Sequence, residues 1–419
     1  MKKYDVTIVG AGLAGATVAK ILSKKDLNVL LVEQFKIGDS FGSKIDVTEV
    51  KTLEQYVKKL EIKPHCITFN SKWYSPSNNL FLLELKNPDC YFFKRGPAED
   101  SIESQLIREA TKNGVEIALD TKVTNIKKER SDATVILATP TGEKRIHSKV
   151  IIGADGVDSK VAKICGLSEN KTIRMVEGYG IECSHFKNVE PKIPEVYINS
   201  EYAPGGYLYL APALDGTTTA VCLLDKRRLN NINIEKYFYS FIKNNVMLKE
   251  KFSEVKVLNK IRGVGIISGP LKTTVKNNVV LIGNAARVMD PFFAYGVKYA
   301  IITGSLAADV VVEAISENDI SVLKKYEILW RNELVDAIKT GFFLRDIFDH
   351  LTDSDVEYII NILNRIKSNG LDFDDMFDSF SIKKHVLSIL RTALINPNNM
   401  LKLTSLSFGS LLKNKFIEI

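Results

Sequence analysis

The chain has 419 residues and a net charge of +7, with 45% hydrophobic and 26% charged residues. This composition is that of a globular protein and excludes a disordered, collagen-like or coiled-coil chain. The mildly basic charge is not that of a dedicated nucleic-acid binder, so no nucleic-acid partner is expected. The length predicts two or three domains.

We expect no membrane-spanning helix, because no uncharged run approaches the roughly 20 residues that a bilayer requires. The chain enters a strand pattern at Tyr4 without the apolar stretch of a signal peptide, which predicts a cytoplasmic protein. The five cysteines and five histidines show no ligand spacing. We therefore expect core cysteines, no disulfide framework and no metal site.

The chain opens with a strand–turn–helix–strand unit. The apolar run Tyr4–Val9 leads into Gly10–Gly15 (GAGLAG), and a helical stretch follows to about Lys25. A second strand, Asn28–Val32, ends at Glu33. These segments form one βαβ unit.

This unit carries the GxGxxG fingerprint of a dinucleotide-binding fold. Gly10 permits a tight turn, Gly12 lets backbone approach a pyrophosphate, and Gly15 lets the helix pack against the strand. The helix N-terminus attracts phosphates. Glu33 can accept both ribose hydroxyls and repels the 2′-phosphate of NADP. The fingerprint alone fits FAD or NAD.

The central part of the chain alternates between short strands and helices, and it then becomes β-rich. A helix is predicted over about Ala98–Asn113 and a buried strand over Val150–Ile152. The β-rich part has predicted strands at Tyr179–Phe186, Glu195–Ile198, Gly206–Ala211 and Thr217–Leu224, and a helix at about Ile234–Asn244. After the strand Val279–Ile282, nearly the whole chain from about Gly296 to the end is predicted to be helical. Candidate helix breaks are Gly341, Gly370, Pro397 and Gly409.

Two later segments decide between the dinucleotides. Gly153–Val161 (GADGVDSKV) follows the buried strand, and Gly283–Pro291 (GNAARVMDP) follows another, with Gly296 opening a long helix. Here the chain resembles the flavoprotein superfamily that includes p-hydroxybenzoate hydroxylase and the geranylgeranyl reductases. The segments match its GADG-x-x-S-x-V and GDAA…P…GxG motifs. The resemblance covers essentially the whole chain and indicates FAD.

The resemblance implies a set of FAD-binding residues. These are Gly10, Gly12, Ala14, Gly15, Glu33, Ser43, Arg95, Val123, Asp155, Gly283, Asn284, Pro291, Gly296 and Val297. Two of these residues also have an interpretation without FAD. Arg95 would then be the partner in a surface ion pair, and Asp155 would cap a turn.

Three positions depart from the superfamily pattern. Asn284 replaces an aspartate, and Ala294 and Tyr295 replace glycines before the helix. In addition, Ser43 stands about where the reductases carry a cysteine. The first three departures affect flavin affinity and placement rather than the fold, and the serine leaves no thiol for a redox or gating role at that position.

Within the superfamily, the chain looks most like the geranylgeranyl reductases. Tyr207–Pro212 (YLYLAP) resembles the Y-x-W-x-F-P strand that lines their prenyl tunnel, and Leu351–Ile360 resembles their C-terminal helical module. Strand alternation places Tyr207, Tyr209 and Ala211 on one face. The implied substrate-binding residues are Tyr207, Tyr209, Ala211 and Pro212. The alternative for this segment is an ordinary half-buried strand.

The expected fold class is α/β, a Rossmann-like FAD-binding domain with an inserted antiparallel β-sheet domain and a helical C-terminus. The predicted domains are residues 1–172 and 268–340 for FAD, 173–267 with about 64–95 for substrate, and 341–419 for the helical end.

The implied reaction is hydride transfer from N5 of reduced flavin to isolated C=C bonds in prenyl chains of membrane lipids or their precursors. An external donor, either a reduced carrier or NAD(P)H, supplies the electrons. The second alkene carbon needs a proton, and the candidate donors are the catalytic candidates Tyr207, Tyr209 and Tyr295 and an ordered water. Two alternatives remain open: a flavin monooxygenase using NAD(P)H and oxygen, and a non-catalytic or electron-transfer flavoprotein.

The C-terminal part has uneven charge. Residues Ser381–Ile419 have a net positive charge, and Leu401–Phe416 contains the large apolar residues Leu401, Phe408, Leu411, Leu412 and Phe416 beside Lys402, Lys413 and Lys415. One interpretation is contact with the anionic inner face of the cell membrane; the other is a solvated or core-packed helix. We expect a monomer.

Overall fold

The computed structural model describes residues 1–38, 44–49, 52–88, 90–129, 132–168, 173–229 and 233–368. The strands are β1 (Lys2–Val9), β2 (Val29–Val32), β3 (Lys44–Glu49), β4 (Cys66–Thr68), β5 (Asn70–Tyr74), β6 (Leu80–Glu84), β7 (Cys90–Arg95), β8 (Glu116–Ala118), β9 (Lys122–Lys128), β10 (Ala133–Thr139), β11 (Gly142–Gly153), β12 (Met175–Ser184), β13 (Glu195–Tyr197), β14 (Tyr207–Pro212), β15 (Thr218–Asp225), β16 (Lys256–Ile266), β17 (Val275–Lys276) and β18 (Val279–Leu281). The helices are α1 (Leu13–Leu22), α2 (Glu54–Leu60), α3 (Ile102–Lys112), α4 (Lys160–Ile164), α5 (Ile234–Asn244), α6 (Val246–Lys251), α7 (Val297–Ser316), α8 (Lys324–His350) and α9 (Asp353–Ser368).

The first sheet has eight strands in the order β17-β18-β11-β1-β2-β8, and β10 and β9 extend from β11. The strands β18, β11, β1, β2 and β8 are parallel to one another. Residues such as Val6, Ile8 and Ile152 are fully buried, as parallel strands covered on both faces require. The carboxyl ends of these strands meet at one edge of the sheet, where α/β proteins bind their ligands.

Helices α1 and α7 pack closely against each other on this sheet. A Cβ on Gly304 would lie 2.8 Å from the carbonyl oxygen of Ala14, so their close approach requires glycine there. Among the described helices, only α7 is long and apolar enough to cross a membrane by length and composition. Because 61% of its apolar window is buried inside the fold, α7 has the character of a core helix.

The second sheet has seven strands in the order β16-β12-β15-β14-β13-β5-β6. Its neighbours are antiparallel except β13 and β5, which pair in parallel. One face, with Tyr179 and Leu208, packs on Phe238 of α5. A third, smaller sheet has the order β3-β7-β4. The predicted α/β fold with an inserted, largely antiparallel sheet is confirmed, while the division into domains stays a prediction.

Two sequence-based details of the helices need correction. The predicted break at Gly341 is wrong, because α8 runs unbroken from Lys324 to His350. A Cβ on Gly341 would lie 2.6 Å from Cδ of Pro291, so this glycine serves close packing. Helix α3 begins at Ile102, after the predicted Ala98, because the Ser101 side chain accepts the backbone N–H of Ser104 and caps the helix. Gly370, Pro397 and Gly409 lie outside the described residues.

Candidate functional site

The glycine loop joins β1 to α1. Gly10 has φ +104°, and a Cβ there would lie 2.4 Å from the carbonyl oxygen of Ala154. A Cβ on Gly15 would lie 1.9 Å from the carbonyl oxygen of Gly10. A Cβ on Gly12, the residue that caps α1, would meet no atom within 4 Å. The loop therefore packs tightly on its inner side and is open at Gly12, where a phosphate fits the first N–H groups of the helix.

Glu33 follows β2 and faces the glycine loop. Its carboxylate accepts hydrogen bonds from the backbone N–H of Ala11, at 2.7 Å, and of Phe35, at 3.0 Å. A carboxylate has about four acceptor positions, so both oxygens can still accept ribose hydroxyls. The two backbone hydrogen bonds thus fix the carboxylate at the cavity, where the sequence predicts a ribose contact.

A cavity of about 1120 Å³ begins at this loop and reaches the second sheet. This exceeds the roughly 300–1,000 Å³ of a typical small-molecule pocket, and it leaves room for a dinucleotide and a second ligand. Of the residues implied to bind FAD, those that line the cavity are Gly10, Gly12, Ala14, Glu33, Arg95, Val123, Asp155, Asn284, Gly296 and Val297. Gly15, Gly283 and Pro291 do not line it and act through packing.

Asp155 accepts hydrogen bonds at the start of the short helix α4, whose N-cap residue is Ser159. One carboxylate oxygen accepts the hydroxyl of Ser159 at 2.6 Å, and the other accepts the backbone N–H of Lys160 at 2.7 Å and of Val161 at 3.0 Å. Burial raises the pKa of Asp155 despite these hydrogen bonds. The carboxylate therefore shapes the loop, and it borders the cavity at the same time.

Arg95 lies at the cavity wall in a buried ion-pair network. Its guanidinium donates to Asp46 at 2.9 Å and to Glu103, which is fully buried. Burial works to raise the pKa of Asp46, but the cations Lys44 and Arg95 lower it. Arg95 thus occupies a buried position in the wall of the site, which does not fit a surface ion pair.

The segment between β18 and α7 forms the wall of the cavity opposite the glycine loop. Asp290 fixes its turn by accepting the backbone N–H of Phe292 and of Phe293, each at 2.7 Å. Asn284 faces the segment, because its Oδ1 lies 3.8 Å from the position of a Cβ on Gly296. Gly296 caps α7 without any side-chain hydrogen bond. The N-terminus of this 20-residue helix therefore directs its positive dipole at the cavity.

Ala294 has φ +59°, in the left-handed region. This is the backbone conformation that glycine adopts without strain, and an alanine there costs about 1–2 kcal/mol. Position 294 therefore has a backbone conformation that favours glycine, the residue that the superfamily motif implies there.

The catalytic candidates Tyr207, Tyr209 and Tyr295 lie in one aromatic cluster. The rings of Tyr207 and Tyr209 are 6.3 Å apart, and Tyr295 stacks on Phe293 at 5.1 Å. Burial raises the pKa of all of these tyrosines, so each is a neutral phenol near neutral pH. Tyr209 and Tyr295 line the cavity, and Tyr207 lies behind it.

Strand β14 has the predicted alternation. Leu208 and Leu210 pack into the core on the α5 side. Ala211 lies on the other side with Tyr209, against Cys66 and Cys90. Ala211 and Pro212 are buried and do not line the cavity, in contrast to Tyr209. Ser43 lies outside the described residues.

Sequence reasoning missed several cavity residues. Trp73 on β5 lies 6.0 Å, ring to ring, from Phe293. Cys90 is buried as expected of a core cysteine, but it also lines the cavity. Phe35 lines the cavity beside Glu33 with half of its surface exposed. Phe35 could have been found from the sequence, because an apolar aromatic residue two positions after Glu33 is unusual in a loop. No sequence pattern marked Trp73 or Cys90 as cavity residues.

The described residues contain one group with metal-ligand spacing, which the sequence did not suggest. Ligand atoms of Glu129, Asp132 and His147 lie within 4.8 Å of one another. Exposed acidic groups of this kind are common without an ion, so we assign no metal to it.

The fold and the glycine loop define a dinucleotide-binding protein, and its cavity is lined by residues of both the first sheet and the inserted sheet. The chain belongs to the family described as FAD binding domain, which matches residues 83–331, more than half of its length. Residues 8–38 match the description NAD(P)-binding Rossmann-like domain. The protein is an FAD-dependent oxidoreductase with FAD as its cofactor, as the sequence predicted.

Known proteins match the chain along its length. A digeranylgeranylglycerophospholipid reductase of Methanosarcina acetivorans is 28% identical over 93% of this chain and 95% of that protein. The structure of a geranylgeranyl bacteriochlorophyll reductase-like protein from Thermoplasma acidophilum has a TM-score of 0.80, 21% identity and coverage of 97% and 100%. The p-nitrophenol 4-monooxygenase of Pseudomonas putida has a TM-score of 0.69, 14% identity and coverage of 94% and 98%.

Proposed function

We propose that the protein reduces isolated C=C bonds in the prenyl chains of membrane lipids or their precursors. The observation that carries this proposal is the apolar face of the second sheet, which forms one wall of the cavity. This wall is called the cavity floor below. A single residue from each of six adjoining strands illustrates this face: Gly263, Gly178, Val221, Tyr209, Val196 and Trp73.

The dimensions of this floor fit a long chain. Strands lie about 4.8 Å apart, so the six strands span roughly 24 Å. The extended sixteen-carbon main chain of a geranylgeranyl group is roughly 20 Å long, given C–C bonds of about 1.5 Å. A compact aromatic ring would leave most of this floor uncovered. The floor therefore favours an extended apolar substrate lying across the strands.

A glycine keeps one end of the floor open. Gly178 pairs directly with Gly263 in the register of β12 and β16. A Cβ on Gly178 would lie 2.9 Å from Cδ2 of Leu223, whereas a Cβ on Gly263 would meet no atom within 4 Å. The missing side chain of Gly263 therefore leaves a shallow trough at the edge strand β16, which suits a flexible chain entering from this side.

The residues of the site have distinct tasks in this reaction. The glycine loop, Glu33 and the N-terminus of α7 hold FAD, which when bound supplies the hydride. The positive dipole of α7 stabilises negative charge on the reduced cofactor. The apolar floor orients the prenyl chain and excludes water from the reacting carbons.

The comparisons support the same substrate class. The relative from Methanosarcina acetivorans is named for reduction of a digeranylgeranyl phospholipid, and the alignment covers nearly the full length of both chains. For a lipid substrate, we propose that the protein works as a peripheral protein on the inner face of the membrane. The basic segment Ser381–Ile419 and the stretch Leu401–Phe416, which are the basis for membrane contact, lie outside the described residues.

The test is expression in cells that accumulate an unsaturated digeranylgeranyl lipid, followed by lipid mass spectrometry. The expected result is a series of mass gains of two hydrogens per reduced bond. A cavity-floor variant, Val221→Trp, is expected to abolish these gains while FAD stays bound, because Val221 lies on the floor and not in the glycine loop. Unchanged lipid with FAD-loaded wild-type protein would contradict the proposal.

A flavin monooxygenase is the second candidate. The observation that favours it is the aromatic wall of Trp73, Tyr209 and Phe293, which suits an aromatic substrate. It predicts NADPH oxidation that an aromatic substrate accelerates and that consumes oxygen. The reductase needs neither oxygen nor such stimulation, so anaerobic lipid reduction separates the candidates.

A further inference from the structure

The two ends of the cavity floor differ. At one end β16 is the outermost strand of the second sheet, and the missing side chain of Gly263 leaves the floor open there. At the other end the sheet continues beyond the floor, because β6 lies outside β5. Among the described residues, those of β6 do not border the cavity. The floor therefore has an open end at β16 and a closed end at β5.

Helix α9 covers the sheet beyond the closed end. Phe81 of β6 is fully buried and belongs to one apolar cluster with Ile360 and Leu363 of α9. The ammonium of Lys367, in the last turn of α9, donates to the backbone carbonyl oxygen of Leu82 at 2.6 Å. The helix is thus attached to β6 and prevents a ligand from extending across this strand.

Trp73 stands between the floor and this helix. It pairs directly across the strands with Val196 on one side and with Phe81 on the other, so the three side chains lie on the same face of the sheet. The indole borders the cavity and also packs against the cluster that α9 covers. Its N–H donates to the hydroxyl of Ser71 at 2.9 Å, and its ring lies 6.0 Å from that of Phe293. These contacts hold the indole in place as the end wall of the floor.

We infer that Trp73 determines how deep a prenyl chain enters the site and thereby which of its double bonds can react, an inference that rests on the proposed function. The chain enters at Gly263 with its methyl end first, because the glycerol phosphate of the lipid is charged and stays in water. At full depth the methyl end meets the indole. The glycerol end then lies at the edge of the sheet, where the basic side chains of Lys260 and Arg262 are each 63% exposed beside Glu235.

The closed end limits the reaction because the cofactor is held at one place. Successive double bonds react only if the chain slides along the floor past this place. Each isoprene unit adds one double bond and four main-chain carbons, or roughly 5 Å. A chain with one more unit stops at the same depth, so its bonds nearest the glycerol lie one unit farther from the reacting position than in the shorter chain.

The experiment compares two lipids in detergent, digeranylgeranylglycerophospholipid and an analogue with one more isoprene unit in each chain. FAD-loaded protein reduces them without oxygen under excess dithionite until the lipid mass is constant, and tandem mass spectrometry locates the remaining double bonds. We expect the wild-type protein to leave one more double bond per chain in the longer lipid, at the unit nearest the glycerol. Trp73→Ala removes a side chain larger than one isoprene unit and is expected to reduce this additional bond.

Two further variants make the result specific to the closed end. Trp73→Leu shortens the side chain but retains an apolar contact with the cluster under α9, and it is expected to reduce the additional bond if the alanine variant loses FAD. Ile261→Ala enlarges the floor on β16, at the open end, where Ile261 is buried and borders the cavity. It is expected to leave the same double bonds as the wild-type protein.

The outcomes separate this inference from the proposed function. Equal numbers of remaining bonds in the two lipids with wild-type protein would overturn the inference alone. A wild-type pattern of remaining bonds in both FAD-loaded variants at position 73 would do the same. No reduction of either lipid by the wild-type protein would overturn both the inference and the proposed function.

Discussion

The hydroxyl of Tyr207 donates a 2.8 Å hydrogen bond to the carbonyl oxygen of Phe293. This bond connects β14 of the inserted sheet to the segment that leads into α7. The cavity floor and the N-terminus of α7, which both line the cavity, are thereby held in one arrangement.

Removing this hydrogen bond should loosen the segment between β18 and α7. Tyr207→Phe is expected to lower the free energy of unfolding by about 1 kcal/mol, the net value of a typical hydrogen bond, and to weaken FAD retention. Chemical denaturation and FAD titration measure the two effects. Tyr179→Phe removes a 2.8 Å bond to Glu235 on the other face and should lower stability without changing FAD affinity. Equal FAD affinity in the two variants would contradict the role of Tyr207.

Ala294 offers a stabilising substitution. Ala294→Gly removes the strain of a left-handed alanine and is expected to raise the free energy of unfolding by up to about 1 kcal/mol, after the entropic cost of glycine. Urea denaturation of the FAD-loaded protein measures this. Ala337→Gly, in the middle of α8, is the matched control and should destabilise by about 1 kcal/mol. A loss of stability at position 294 would show that the turn differs from the one described.

Glu33 should contribute charge-assisted hydrogen bonds to the ribose. Glu33→Gln is expected to weaken FAD binding by about 10- to 150-fold, which corresponds to roughly 1.5–3 kcal/mol. Quenching of flavin fluorescence measures the dissociation constant. Glu116→Gln makes the same charge change on β8, where the carboxylate pairs with Lys2, and should leave FAD affinity unchanged. An unaffected Glu33→Gln variant would remove this residue from the cofactor site.

Asp225 should make stability depend on pH. Burial works to raise the pKa of Asp225, but hydrogen bonds from Arg227 and the charge of Arg174 lower it to about 2. A lowered pKa in the folded state means that the stabilisation is complete above the unfolded value near 4 and is lost as pH falls toward 2. Arg345 of α8 lies against the same carboxylate, so this loss also loosens α8 from the second sheet.

The measurement is the unfolding free energy of wild type and Asp225→Asn between pH 6 and 2.5. The variant is expected to be less stable at pH 6 and to show a smaller decline on acidification. Asp158→Asn, whose side chain is exposed, is expected to follow the wild type. Parallel curves for wild type and Asp225→Asn would refute the assignment.

Local sequence patterns predicted the helices, strands and turns whose structure depends on residues close together in the chain. The glycine fingerprint, the buried strands around it and helix Ile234–Asn244 follow from short-range spacing, and the structure has them. The motifs at Asp155 and Asn284 lie far apart in the chain, but both border the cavity, because each follows a strand of the same parallel sheet. The residue roles within the cavity stay predictions.

Long-range pairing produced the features that the sequence did not reveal. Trp73 reaches the floor because β5 pairs in parallel with β13, about 120 residues later in the chain. No local pattern encodes that partner. Gly341 looked like a helix end because glycine propensity is low, whereas its packing on Pro291 determines the outcome.

The most direct test of the central claim uses purified protein. FAD-loaded wild-type protein is reduced with dithionite without oxygen and mixed with digeranylgeranylglycerophospholipid, and the lipid mass is determined. A prenyl-lipid reductase is expected to add two hydrogens to the lipid for each flavin reoxidised in a single turnover. Reoxidation without a mass gain, or no reoxidation until oxygen and an aromatic substrate are added, would contradict the proposed function.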